Sequence, residues 1–143
     1  MLWGLGIALC AITALWWHNR LETPSVGAIS LLCFIGAASS YPVAIVLAGF
    51  VAQGKRGETR FAAVFLSLAL LTIGVTAAIF AIGYRNFYAQ WHDPFPSRAW
   101  VLQQIFTTVG AVYQFAVLGI RLYLPYGFAV LALTSLFLTR RMR

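Results

Sequence analysis

Carboxylates are scarce in this chain. Three acidic residues, Glu22, Glu58 and Asp93, face ten basic ones in 143 positions, and only 9% of the residues are charged. With so few acids, two histidines and two cysteines, the pairs of titratable groups that general acid-base catalysis needs are missing. No motif for an activated nucleophile stands out, and the expectation is a chain that is not an enzyme. Metal binding fares no better: Cys10 and Cys33 lie in separate apolar stretches, His18 and His92 lie in separate connections, and no Cys or His spacing resembles a ligand set. No cofactor is expected. The cysteines read as small buried hydrophobes, although similar depths in two neighbouring helices would allow a bond between them.

A polar surface is also lacking. At 62% hydrophobic residues, a soluble domain would have too little to cover itself with, so the composition is that of a membrane chain. The formal charge of +7 does not point to nucleic acid, because the basic residues punctuate apolar runs in the manner of topology signals. Arginine outnumbers lysine nine to one, a bias of GC-rich bacterial genomes, and a bacterial inner membrane is the expected location. The first residues have no basic lead, and they end in Trp16 and Trp17 where a cleavable signal would carry small residues. The run Ile7 to Cys10 approaches a lipid-attachment box but has bulky Leu9 where a small residue belongs.

What is present is a succession of apolar runs. The fold class expected is all-α, an integral membrane four-helix bundle with an additional interfacial or re-entrant half-helix on the outer face. The spans fall at about 2–17, 25–52, 61–83 and 115–138, with an outer loop over 84–98 and the half-helix over 98–114. Thr23 and Pro24 read as the start of the second span, Thr59 as the cap of the third, and Ser97 as the cap of the half-helix. Pro42 should kink the second span, with Ser39 and Ser40 beside it to bond the carbonyl that Pro42 leaves free at Ala38. The basic residues of the 53–60 connection and of the C-terminal tail place both termini in the cytoplasm.

Two features invite packing. Gly36, Ser40, Ala44, Ala48 and Ala52 recur every four residues, the small-residue ridge that lets membrane helices approach closely. In the third span Gly74 with Ala78, and Ala77 with Ala81, are the matching candidates. Contact partners are therefore the lipid bilayer and partner membrane subunits.

The last third of the chain carries the polar candidates. As one helix, 99–138 would run ~60 Å, twice the ~30 Å of a hydrocarbon core. Pro125 breaks it, removing the bond to the carbonyl of Arg121. Gln103, Thr107, Gly110 and Gln114 make a narrow polar stripe that Arg121 continues. An alternative to the half-helix is one long tilted helix that projects past the outer side. Arg121 either snorkels to lipid phosphates or faces the bundle and holds an anion. His92, Asp93, Arg98, Arg85, His18 and Arg20 all fall on the outer side and could gather at the mouth of the bundle. Three functions compete: an accessory or assembly subunit of a larger membrane complex, a small transporter or lipid- or anion-binding protein built on Arg121, and, least favoured, a haem or quinone protein.

Overall fold

The computed structural model describes residues 1–22 and 24–141, so the Thr23 cap and the end of the tail lie outside the described residues. Among them the elements are all helical: α1 (Leu2–Trp17), α2 (Val26–Ala52), α3 (Gly57–Tyr88), α4 (Arg98–Gln114) and α5 (Tyr126–Arg141), with a 3-10 turn at Ala89–Trp91. A π turn (Phe115–Gly119) and a 3-10 turn (Ile120–Tyr123) continue α4 without a gap. Three helical runs, Val26–Ala52, Gly57–Trp91 and Arg98–Tyr123, are long and apolar enough to cross a membrane, while α1 is apolar but shorter.

The chain departs from the sequence expectation at several boundaries. Residues 98–114 form α4, and the helical winding continues from it without a gap to Tyr123; at Leu124 the backbone turns extended. The break falls at Leu124–Pro125, the proline at which the sequence reading puts it, and it divides the expected 115–138 span. It lies at the proline because Pro125 has no N–H for a helical bond. Helix α3 starts at Gly57 with Arg56 as its cap residue, so Thr59 lies inside the helix. Helix α2 starts after Ser25, which leaves Pro24 outside it. Pro42 is carried within a continuous α2, and the neighbouring hydroxyls bond other carbonyls than that of Ala38: Ser39 donates to Ile35 at 2.7 Å and Ser40 to Ala37 at 3.1 Å.

Helices α2 and α3 form the most extensive contact, and α1 lies mainly against α2. On α2 the buried residues include Gly36, Ser40, Ala44, Ala48 and Ala52, which share one face at four-residue spacing. A Cβ placed on Gly36 would stand 2.9 Å from the Cα of Thr76, closer than real Cβ atoms come. The backbones of α2 and α3 can therefore meet there only because Gly36 has no side chain. The answering ridge on α3 is Val64, Leu68, Thr72 and Thr76. Gly74 and Ala78 face outward instead, and nothing lies within 4 Å of a Cβ built on Gly74. Threonine serves this ridge because its hydroxyl bonds its own helix: Thr76 donates to the Thr72 carbonyl at 2.7 Å, so the oxygen that faces Gly36 is already bonded.

A short relay of polar groups ties three helices together. The Trp3 indole donates to the Thr72 hydroxyl at 3.1 Å, Thr72 pairs with Ser40 at 3.3 Å, and Ser40 gives its own proton to the Ala37 carbonyl. Each donor has an acceptor when Thr72 donates to Ser40, so the buried hydroxyls carry no desolvation debt. Gly4 brings α1 equally close, since a Cβ there would meet the Phe34 carbonyl oxygen at 2.9 Å.

The C-terminal stretch lies along α3. Gln114 meets Tyr84, Phe115 meets Phe80 and, past the break, Phe128 meets Phe65. Going forward from Gln114, the chain thus descends α3 towards its N-terminus. Going backward from Gln114, α4 climbs beside the end of α3 to the His92 loop and forms an antiparallel arm roughly 24 Å long at 1.5 Å per residue. Its main partner is α3, and Ala111 is its one buried residue.

Candidate functional site

The residues expected to gather at the mouth of the bundle fall into two groups. His92 and Asp93 belong to the arm, together with Gln103 and Thr107. His18 and Arg20 belong to a cleft between α1, α2 and the irregular turns after α4, together with Gln114 and Arg121. Arg85 and Arg98 line neither the cleft nor the His92 contacts.

In the arm the polar stripe of α4 faces the loop that precedes it. Gln103 accepts from the Asp93 backbone N–H at 2.8 Å, and Thr107 donates to the Gln103 carbonyl at 2.6 Å. With its proton spent there, the Thr107 hydroxyl can only accept from His92 Nε2, 3.2 Å away, which leaves His92 Nδ1 to accept from the Gln104 amide at 3.2 Å. The Nε2–H tautomer satisfies both ring nitrogens and the Thr107 hydroxyl, while Gln104 Oε1 is buried with no partner among the described residues. Both ring nitrogens are thus engaged in holding the loop to α4, and among the described residues no three of His, Cys, Asp and Glu come together as a metal set. Ser97 caps α4 by accepting from Trp100 N at 3.0 Å, and the Phe95 and Trp100 rings close the loop edge to face.

The outward side of the arm is apolar. Leu102, Ile105, Phe106, Val109, Val112 and Tyr113 are exposed, Phe106 at 71%, and they recur at intervals of three and four along one face. This helix therefore turns its polar face to its neighbour and its apolar face away from the protein.

The cleft is built differently. Helix α1 ends in a Schellman turn: Asn19 takes φ +53°, Asn19 N donates to the Trp16 carbonyl, and Arg20 N donates to the Leu15 carbonyl at 2.9 Å. Asn is one of the few side chains that tolerate this left-handed position. The turn carries Arg20 back over Leu15, and both line the cleft. His18 Nδ1 bonds the Ala14 carbonyl at 2.8 Å and so donates, which fixes the ring beside the turn. Opposite, the π turn rewinds the chain between Gln114 and Arg121. The Phe115 ring lies over Gly119, where a Cβ would meet it at 2.6 Å, so a side chain at that position would push the ring aside. Such π turns recur at functional sites because they shift the side chains that follow them.

The result is a cavity of about 300 Å³ whose walls are apolar and whose polar groups are His18, Arg20, Gln114 and Arg121. Among the described residues neither Arg20 nor Arg121 is paired with a carboxylate. Sequence alone joined Arg121 to Gln114 through the stripe but assigned Arg20 to the loop cluster. The signal for its position was Asn19, two residues past the last apolar residue of α1. A second cavity, of about 190 Å³ and lined almost wholly by apolar side chains including Trp3, Leu68 and Tyr123, lies behind the helix break. Both cysteines are free and buried. Compared with protein-family models, with curated proteins and with solved structures, the chain matches none.

Proposed function

We propose that this chain is a non-catalytic accessory or assembly subunit of a larger complex in a bacterial inner membrane, and that it docks through the outer arm. It would have four crossings, both termini in the cytoplasm and the His92 loop outside, with the fourth crossing shared between residues 115–123 and α5. The observation that carries the reading is the exposed apolar stripe of α4. From Arg60 to Arg85, α3 already covers about 37 Å at 1.5 Å per residue, more than a hydrocarbon core. The arm continues beyond Arg85, where acyl chains do not reach. An apolar helical face in that position needs a protein to cover it, and its three- and four-residue spacing fits a partner's helix or groove.

The test places aspartate at Phe106 and Val109 together. Both side chains are exposed, so the variant should insert and fold like the parent while losing a copurifying partner, by about 2 kcal/mol or more of binding energy. Photo-crosslinks from Phe106 should reach that partner in intact cells. An arm variant that still copurifies the same partner in the same ratio overturns the reading. So does strong quenching of a probe at Phe106 by quencher groups placed deep in the acyl chains.

A further inference from the structure

The cleft between Arg20 and Arg121 does not take part in docking through the arm, and its composition asks for an occupant of its own. We infer that it binds the phosphate of an anionic amphiphile, a single net-negative phosphate ester whose acyl chain follows the apolar wall towards Leu118. Two guanidinium groups from different elements line one cavity with no carboxylate to neutralise them among the described residues. Both arginines are exposed at the mouth of the cleft, where an anion bound between them would be met by two positive charges. A guanidinium offers forked donors that match phosphate oxygens, and the Gln114 amide adds a neutral donor at the same rim. His18 has Nδ1 committed to the Ala14 carbonyl, which leaves its other nitrogen to face the cleft.

The remainder of the lining is what distinguishes this cleft from a surface site for a free ion. Ile29, Leu32, Phe80 and Leu122 line it as well, and none of them can solvate an oxyanion. About 300 Å³ is at the small end for ligand sites, enough for a phosphate and the first part of a chain, with the rest of that chain lying along the outside of the helix. A neutral quinone head would leave both guanidinium groups uncompensated and is disfavoured on that ground. The backbone positions of both arginines are set by main-chain geometry, Arg20 by the Schellman turn and Arg121 by the π and 3-10 turns.

The experiment is lipid retention by the purified full chain, read by native mass spectrometry with phosphatidylglycerol, phosphatidylcholine or inorganic phosphate supplied. The parent should retain phosphatidylglycerol at least about tenfold better than phosphatidylcholine, as charge-assisted hydrogen bonds predict. Arg20→Gln with Arg121→Gln should abolish that preference. Leu118→Trp keeps both charges but crowds the apolar wall, and it should weaken phosphatidylglycerol retention as well, which simple snorkelling of arginines to bulk lipid would not. Equal retention of the two lipids by the parent, or an unchanged preference in the double glutamine variant, overturns the proposal. Inorganic phosphate that displaces the lipid at equal concentration, together with a neutral Leu118→Trp, overturns its apolar half and assigns the cleft to free phosphate. The exposed side chains chosen make misfolding an unexpected outcome, and a melting curve for each variant separates it from loss of binding.

Discussion

The bundle and the arm both hide their polar or small residues and show their large apolar ones, yet they are held together by different means. In the bundle, Gly36 and Gly4 bring backbones into contact, and the hydroxyls of Ser40, Thr72 and Thr76 are absorbed into helix carbonyls or one another. In the arm, Gln103, Gln104 and Thr107 of α4 are hydrogen-bonded to the His92–Asp93 loop, while α4 packs on α3 with only Ala111 buried. The comparison teaches that the same inside-out pattern can mean two things. Where acyl chains cover the outside, it is simply the pattern of a membrane helix, and close packing supplies the cohesion. On the proposed placement of the arm beyond them, the outward face remains to be covered, and the inward face must be fastened by specific bonds.

This contrast can be broken most severely at Gly36. Leucine there has no room against the Thr76 backbone, so Gly36→Leu should separate α2 from α3 at a cost of about 3 kcal/mol or more. The loss would be seen as a large fall in melting temperature or as aggregation on size-exclusion chromatography, in the bundle and the arm alike. Thr72→Val should have a smaller effect. It removes the acceptor of the Trp3 indole and the donor to Ser40 while keeping the shape, and about 1–2 kcal/mol is expected, with the Trp3 environment changing in fluorescence. His92→Ala sharpens the distinction from the other side. It should loosen the arm by roughly 1 kcal/mol, with faster amide exchange across α4 and none across α2. Exchange that rises equally in both would show that the arm is not a separate unit.

Much of this architecture is legible in residue order, and the parts that are not have physical reasons. The extent of α1 follows from its apolar run and the Trp pair. Ser97 reads as a cap because a hydroxyl after a proline precedes an apolar helix. The spacing of Gly36, Ser40, Ala44 and Ala48 is visible in the sequence, and these positions are buried on α2. On α3, size alone points to Gly74 with Ala78 and to Ala77 with Ala81; Gly74 and Ala78 are exposed, Ala77 and Ala81 turn inward, and the residue that meets Gly36 is Thr76. Thr76 bonds its own helix and Thr72 bonds Trp3 and Ser40, so both pack with their hydroxyls satisfied, and composition does not reveal those bonds. The polar stripe from Gln103 to Gln114 is apparent as a period, but its direction is not, because nothing local says that the His92 loop folds back onto it. Nor does any local signal give the π turn at Phe115–Gly119. It rotates the chain between Gln114 and Arg121, so a helical wheel drawn through both misplaces one of them.

The Schellman turn at Asn19 makes α1 act as a ruler. Arg20 sits where it does because the first helix stops after Trp17, not because any side chain grips it. One residue more or fewer in α1 would swing that guanidinium by about 100° around the helix axis and take it out of register with Arg121, while every residue lining the cleft stayed the same. The height and heading of the cleft's positive rim are thus encoded as a count of residues, in a helix whose own composition is almost entirely grease.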